Sequence, residues 1–530
     1  MTISRSFNLG KPIAENDTLL KEVFVTTEIY QMIVDKTDQN CFIVGRTGSG
    51  KSALFEKLEE DWPDQVVRIN PAQLAIPHVL NLKDFRSANP GQNFQRFWSV
   101  LWEHVIVTKI LQHRISNKYA RKNFLRSIIE QFDSDNKHQS FVDYVDRFES
   151  IFWADGKTQV EEIIKSQAGG GNVEASLGHK GIGVKANAED SYSIEEKSVH
   201  SGGYSPLINI DLLKQLDDVI EVLNDEILDK HNFTYVVIDD LDKDWIDEDF
   251  YLQLIFALID VAREFLPKEN IKVLIALRTD IWERIDFSKL AKKQEEKYQF
   301  VSLNLNWTSL ELENILDKRV NLVSQKLNLS MQTTLDLLPH PDAIKGDPLK
   351  YIFDRTLYRP RDAIDFMNTG LEIAIGKDAL SWDDLKIAEI KYSERRLGSI
   401  RDEWATNYPG LDKVCEKFKK QKAYLSKTEL QAILLECAYL QVYTTPDNNW
   451  KWLSSVTREA FQAHPSWYEA CYPLLCILYE IGFIGIAKEI DGEITYILDN
   501  DYLINREDTF DEYVYFGVHP MFHKALNINS

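Results

Sequence analysis

Positive charge is scarce in this chain: 61 lysines and arginines stand against 83 aspartates and glutamates over 530 residues, a formal net charge of −22. A field of that sign repels nucleic acid and anionic lipid, so contact with either has to come from a local basic patch. Paired thiols are missing too. Cys41, Cys415, Cys437, Cys471 and Cys476 are odd in number, sit mostly among apolar residues and show no C-x-x-C spacing. That excludes a disulfide framework and a zinc ribbon and leaves buried free thiols of a reducing compartment. Long apolar runs are absent as well: Leu474 to Ala487 is too short to cross a bilayer and is interrupted by Glu480, and Met1 to Gly10 lacks a signal-peptide core. There is no repeat at a fixed period, and no H-N-H, P-D-(D/E)-x-K or TIR-like constellation that would mark a toxin or nuclease effector. The expectation is a cytoplasmic protein that does not enter membranes.

What is present is ordinary globular composition, 44% hydrophobic and 27% charged, in a length that predicts about three to four domains. One stretch organises the rest. Gly45-Arg46-Thr47-Gly48-Ser49-Gly50-Lys51-Ser52 matches G-x-x-x-x-G-K-[ST], with Ala53 after it. It lies between the apolar run Cys41 to Val44, which reads as a buried strand, and Ala53 to Leu58, which reads as a helix. Glycines let backbone N–H groups close around phosphates, and the helix presents its positive dipole end to them. In this reading Gly45 to Ala53 cradle ATP, Lys51 reaches the β- and γ-phosphates, and the Ser52 hydroxyl coordinates Mg²⁺.

Taken in order, residues 1–40 form a leader packing beside the core, with a helix capped by Asp17 or Thr18. Val66 to Asn70 is the second strand, and strand, helix and strand at this spacing make a parallel βαβ unit. Residues 83–230 interrupt the core. Phe94, Phe97, Trp98, Leu101, Val105 and Ile106 recur at helical spacing as a packing stripe, as do Ile128, Ile129 and Phe132. Val173 to Val184, after Gly169-Gly170-Gly171, reads either as a projecting β-hairpin or as a surface loop. Leu212 to Leu228 is an amphipathic helix.

The core resumes with Tyr235 to Leu241 and Asp242. Four apolar residues ending in acid place carboxylates at the carboxyl edge of a parallel strand, where ligands bind in open α/β sheets. Asp239 is the expected Mg²⁺ ligand, and Asp240 the group that orients or deprotonates an attacking water. Val273 to Leu277 ends in Arg278-Thr279-Asp280, which makes Arg278 either a γ-phosphate sensor or a brace paired with an aspartate. Phe300 to Leu305 is a fourth following strand, and Thr308 or Ser309 caps the next helix. Pro360 suits a first helical turn, which leaves Arg361 either contacting phosphate or in a surface salt bridge. Beyond 396, helices followed by strands around Asp491-Gly492-Glu493 predict a winged-helix-like module, and His519 and His523 read as packing residues.

The P-loop, the Asp-Asp-Leu-Asp strand end at 239–242, the Arg-Thr-Asp end at 278–280 and Arg-Pro-Arg-Asp at 359–362 resemble the STAND and KAP branches of the AAA+-related ATPases. With the leader Gly10 to Asp17, the pattern is most similar to FunZ-type bacterial P-loop ATPases. The resemblance implies Mg²⁺-dependent ATP hydrolysis coupled to a conformational change, a helical lid whose Arg361 contacts the nucleotide, and a setting in anti-phage defence. The membrane topology of KAP proteins does not carry over. The organisation expected is α/β: a P-loop core at 41–82 and 231–310, a mostly helical insert at 83–230, a lid at 311–395 and a winged-helix-like domain at 396–530. Catalysis is assigned to Lys51, Asp240, Arg278 and Arg361, and metal binding to Ser52 and Asp239. The expected partner is a protein or a second copy. The alternative is an ATP-regulated nucleic-acid sensor or loader that reads with its winged helix.

Overall fold

The computed structural model describes residues 2–74, 95–116, 136–148, 210–228, 233–241, 248–283, 285, 295–405, 407–443, 450–458, 467–489, 492–497 and 513–528. The expected hairpin arm at 173–184, the stripe at 128–132, Phe94 and Asp242 lie outside these residues. Contacts divide the chain into two compact units: Thr26–Gly45 with Leu54–Asn304, here the sheet unit, and Met1–Val25 with Arg46–Ala53 and Leu305–Ser530, here the helical unit.

The sheet unit is built on five parallel strands: β1 (Phe42–Val44), β2 (Val66–Ile69), β3 (Thr234–Ile238), β4 (Ile271–Leu277) and β5 (Ser302–Asn304). They run in the order β2-β3-β4-β1-β5. In register, Val44 lies beside Leu277 and Asn304, and Ile238 beside Ile275. Strands β1, β3 and β4 are buried along their whole length, as expected of a parallel sheet covered on both faces. This is the α/β architecture expected of a P-loop NTPase.

The helices of this unit include α1 (Glu28–Val34), α2 (Lys51–Asp61, shared with the helical unit at its start), α3 (Gln95–Ser116) and α4 (Glu248–Glu264). Phe97, Trp98, Leu101, Val105 and Ile106 of α3 are buried in one core cluster with the sheet and with Leu254, Ile255 and Leu258 of α4, and Trp102 donates to the Leu254 carbonyl at 3.0 Å. The start of the predicted insert is therefore part of the core, because its apolar stripe covers the sheet. The carboxyl end of α1 is closed by the sheet: Lys272 Nζ donates to the carbonyls of Met32 (2.8 Å), Ile33 (3.2 Å) and Asp35 (2.8 Å), and Tyr235 to that of Val34. A buried ammonium stays in place there because it meets orphan carbonyls and the negative end of a helix dipole.

The helical unit contains α5 (Ser309–Lys326), α6 (Pro360–Ile373), α7 (Trp382–Glu403), α8 (Lys427–Tyr443) and α9 (Trp467–Glu480), with strands β6 (Tyr424–Ser426), β7 (Ile484–Ala487) and β8 (Tyr515–Val518). Thr308 caps α5 in a reciprocal box with Glu311. The lid boundary expected at 395 falls inside α7, whose capping box at Ser381 starts a helix that continues to Glu403. Beyond it the order strand, helices, strand, strand, with the antiparallel sheet β6-β8-β7, is winged-helix-like. Strand β7 pairs with β8, and across the turn expected at Asp491-Gly492-Glu493 Ile486 and Thr495 exchange both main-chain hydrogen bonds at 2.9 Å. Cys41, Cys415 and Cys437 are buried free thiols, and Cys476 is a partly buried one.

The leader divides between the units. Residues 1–25 belong with α5 and α6, where Asn368 clamps the backbone by accepting from Leu9 N–H and donating to the Gly10 carbonyl, both at 2.8 Å. Asp17 is not a helix cap. The short helix Leu20–Val23 starts after Leu19 with no side-chain cap, and the Asp17 carboxylate instead pairs with Arg319 of α5 at 2.7 Å. Both partners are buried, at 8% and 4% exposure, and Arg319 also donates to the Leu9 carbonyl at 2.7 Å. Removing one member of a buried pair strands the other charge, which costs about 3–5 kcal/mol. Arg319→Ala should therefore lower urea-unfolding stability by that order, and Asp17→Asn with Arg319→Met should recover part of it; a wild-type midpoint for Arg319→Ala would remove the pair from any structural role.

Candidate nucleotide-binding site

The loop Arg46 to Ser52 leaves β1 and enters α2. Gly48 and Gly50 have φ of +82° and +104°, backbone that a residue with a Cβ adopts at a cost. At Gly48 the space is also tight: a Cβ would lie 3.0 Å from Cβ, Cδ and Nε of Arg361. The loop's carbonyls, which would repel a phosphate, are engaged. Lys51 Nζ donates to the Arg46 carbonyl at 3.1 Å, Arg359 Nη1 to that of Thr47 at 2.8 Å, and Trp307 Nε1 to that of Ser49 at 2.6 Å.

Arg359 and Arg361 are brought to the loop by the start of α6. Pro360 occupies its first turn, and Arg359 precedes it in extended conformation, φ −113° and ψ 137°, as a residue before proline prefers. Arg359 is buried and its Nε donates to Asp362 at 2.6 Å. Glu403 lies 3.7 Å from Arg359 and accepts from Arg396 at 2.9 Å, while Arg396 Nε is 3.5 Å from Asp362. Asp362 and Glu403 are held below the usual carboxylate range by these arginines against the opposing effect of burial. Arg361 is different. Burial, and then the adjacent Arg359, depress its pKa, and its Nε is buried with no hydrogen-bond partner, as is the Ser49 hydroxyl. Three guanidiniums thus share two carboxylates around Asp362, and buried donors beside the glycine arch lack an acceptor. A phosphate group supplies both the negative charge and the acceptors, so the residues present fit a nucleotide.

In the sheet unit, Asp239 and Asp240 follow β3. Asp239 is buried, with Oδ1 accepting from Asp240 N–H at 2.9 Å and Arg68 Nη2 3.6 Å from Oδ2; Arg68 in turn bonds Glu56. Asp240 has φ +62°, a region aspartate tolerates better than most residues. Its Oδ2 accepts from Asn70 Nδ2 at 3.0 Å. These oxygens are hard donors of the kind Mg²⁺ takes. Arg278 turns onto its neighbour, Nε donating to Asp280 at 2.8 Å.

Two residues close to this chemistry were not singled out from the sequence. Arg359 touches the loop, and its signal was the position before Pro360. Asn70 holds Asp240, and its signal was a polar residue ending an apolar strand. His519 and His523 are packing groups, as expected: His519 Nδ1 accepts from Met521 N–H at 3.2 Å, and His523 Nε2 lies 2.7 Å from the Val518 carbonyl.

Residues 27–120 match the Zeta toxin family and residues 310–401 the FunZ-associated C-terminal helical domain. Over 99% of this chain and 68% of its own length, an 80.3 kDa protein attributed to transposon gamma-delta of Escherichia coli strain K12 is 21% identical. A solved structure, that of the Aeropyrum pernix Orc1 protein in complex with DNA, covers 93% of this chain and 87% of its own at 10% identity, with a TM-score of 0.31, too low to bear on the fold. The chain has the α/β fold of P-loop NTPases, and among its described residues no helix is long and apolar enough to cross a membrane.

His519 is fully buried, and burial, then His523 and Arg46, lower its pKa to about 3. The unfolded chain takes up that proton near pH 6.5, so the stability His519 contributes is complete above 6.5 and declines as pH falls from there towards 3, by about 1.4 kcal/mol per pH unit at most. His519→Asn should flatten the fall in unfolding free energy between pH 6.5 and 5 relative to wild type; parallel pH profiles would contradict the assignment.

Proposed function

We propose that this chain is a Mg²⁺-dependent ATPase whose nucleotide state sets the conformation of its helical unit. The observation that carries the reading is the arch at Gly48, where φ is +82° and a Cβ would press on Arg361 at 3.0 Å, lined by the unpartnered donors of Arg361 and Ser49. Lys51 and Arg361 would neutralise charge on the transferring phosphoryl group, and Asp240, fixed by Asn70, would orient the water. Mg²⁺, which supplies charge neutralisation when bound, is assigned to the Ser52 hydroxyl and the Asp239 carboxylate. Lys51 now bonds the Arg46 carbonyl, and the same ammonium would exchange that acceptor for phosphate oxygens.

FunZ-type kinship fits the match over α5 to α7, and a partner effector in a bacterial defence system fits that kinship. Reading of nucleic acid through the winged helix is less well supported. Helix α9 carries no lysine or arginine along Trp467–Glu480, and Leu474, Leu475, Leu478 and Tyr479 are buried at 1% exposure or less. A helix that reads a major groove needs an exposed cationic face.

ADP formation and phosphate release should be followed separately, with and without duplex DNA. Lys51→Ala should abolish both, and Asp240→Asn should retain ATP binding while losing hydrolysis by roughly two to four powers of ten. ADP without free phosphate would redirect the reaction to an acceptor other than water, and full turnover by Lys51→Ala would defeat the reading.

A further inference from the structure

The second residue of the phosphate loop is not needed for phosphate contact, yet its side chain is occupied. Arg46 Nη2 donates to the main-chain carbonyl of Glu480 at 2.5 Å. Glu480 is the last residue of α9, and the helix ends there in a fixed way: Gly482 N–H bonds the Tyr479 carbonyl at 2.8 Å and Phe483 N–H the Leu478 carbonyl at 2.9 Å, with Gly482 at φ +76°. This double bond pattern is a Schellman ending, which satisfies the carbonyls two and three residues before the cap and leaves that of Glu480 to be met from outside. A guanidinium is well suited to it, since the carboxyl end of a helix is the negative end of the dipole. The berth is shaped for the arginine: a Cβ at Gly482 would lie 3.0 Å from Arg46 Nη1 and 3.2 Å from Leu357.

Arg46 is thus bonded at both of its ends. Its side chain holds the end of α9, and its carbonyl accepts from Lys51 Nζ at 3.1 Å, the bond that nucleotide must displace. The same helix end continues directly into β7 of the wing, and Phe483 accepts from His519 N–H at 2.9 Å.

We propose that Arg46 is a positioning residue that ties the nucleotide-binding loop to the C-terminal module, so that the end of α9 and the affinity for ATP are linked. The inference rests on the ATP reading above and adds the element that senses it. Loop preorganisation comes from the C-terminal module, and linkage is reciprocal: what orders the α9 end favours ATP, and ATP orders the α9 end.

MgATP affinity should be measured by calorimetry on the full chain and on Arg46→Ala, Arg46→Lys, Gly482→Ala and the Arg46→Ala/Gly482→Ala double variant, with amide exchange at 482–484 read with and without MgATP. Loss of a charge-assisted bond should weaken binding about tenfold in Arg46→Ala, with partial rescue in Arg46→Lys. Gly482→Ala, which blocks the berth from the other side, should weaken binding similarly, and the double variant no further. MgATP should slow exchange at 482–484 in wild type and not in Arg46→Ala. Gly482→Ala will also lose thermal stability because of its positive φ, so affinity is the deciding readout. Wild-type affinity in Arg46→Ala, additive losses in the double variant, or exchange indifferent to MgATP would overturn the inference while leaving the ATP reading intact. A wild-type chain that binds no MgATP would overturn both.

Discussion

The helical unit is organised around one buried guanidinium. Arg359 donates to the Thr47 carbonyl of the phosphate loop and is itself fixed by Asp362 and Glu403. A bare buried cation costs several kcal/mol, so each partner has to be placed well before the bond to the loop is worth making. Helix α6 places Asp362 one turn below, and the extension of α7 to Glu403 brings the second carboxylate. Arg396 keeps the two acids from repelling each other. Arg361 then shares these two carboxylates with two other guanidiniums, which leaves positive charge in excess beside the arch. Structural and ligand-binding charges belong here to the same cluster.

The sheet unit follows a different physical logic. Strands buried on both faces tolerate polar groups only where the ladder ends, so the carboxylates of Asp239 and Asp240 appear at the first positions after β3. Arg68 and the Asp240 N–H serve Asp239, and Asn70 serves Asp240. At the opposite edge Lys272 uses its charge to finish α1.

The parts legible in the sequence were those set by local chemistry. The glycines of the loop, the acid ending of β3, Pro360 at a helix start and the box at Thr308 each declare a backbone need within a few residues. What was not legible depends on distant partners. Asp17 has the residue type of a helix cap but finds Arg319 some three hundred residues on. The stripe of α3 was seen as packing, but its period does not say that it packs on the sheet.

The helical unit is assembled from three pieces of chain, and the nucleotide loop is the middle one. During synthesis the strand that precedes the loop emerges early, but the groups that hold the loop's shape, Trp307, Arg359 and the end of α9, emerge hundreds of residues later. Contacts of such sequence separation form late and slowly. A nascent chain therefore carries the phosphate-binding sequence long before it has the supports described above. Truncated or unfinished chains therefore present the motif without its fittings.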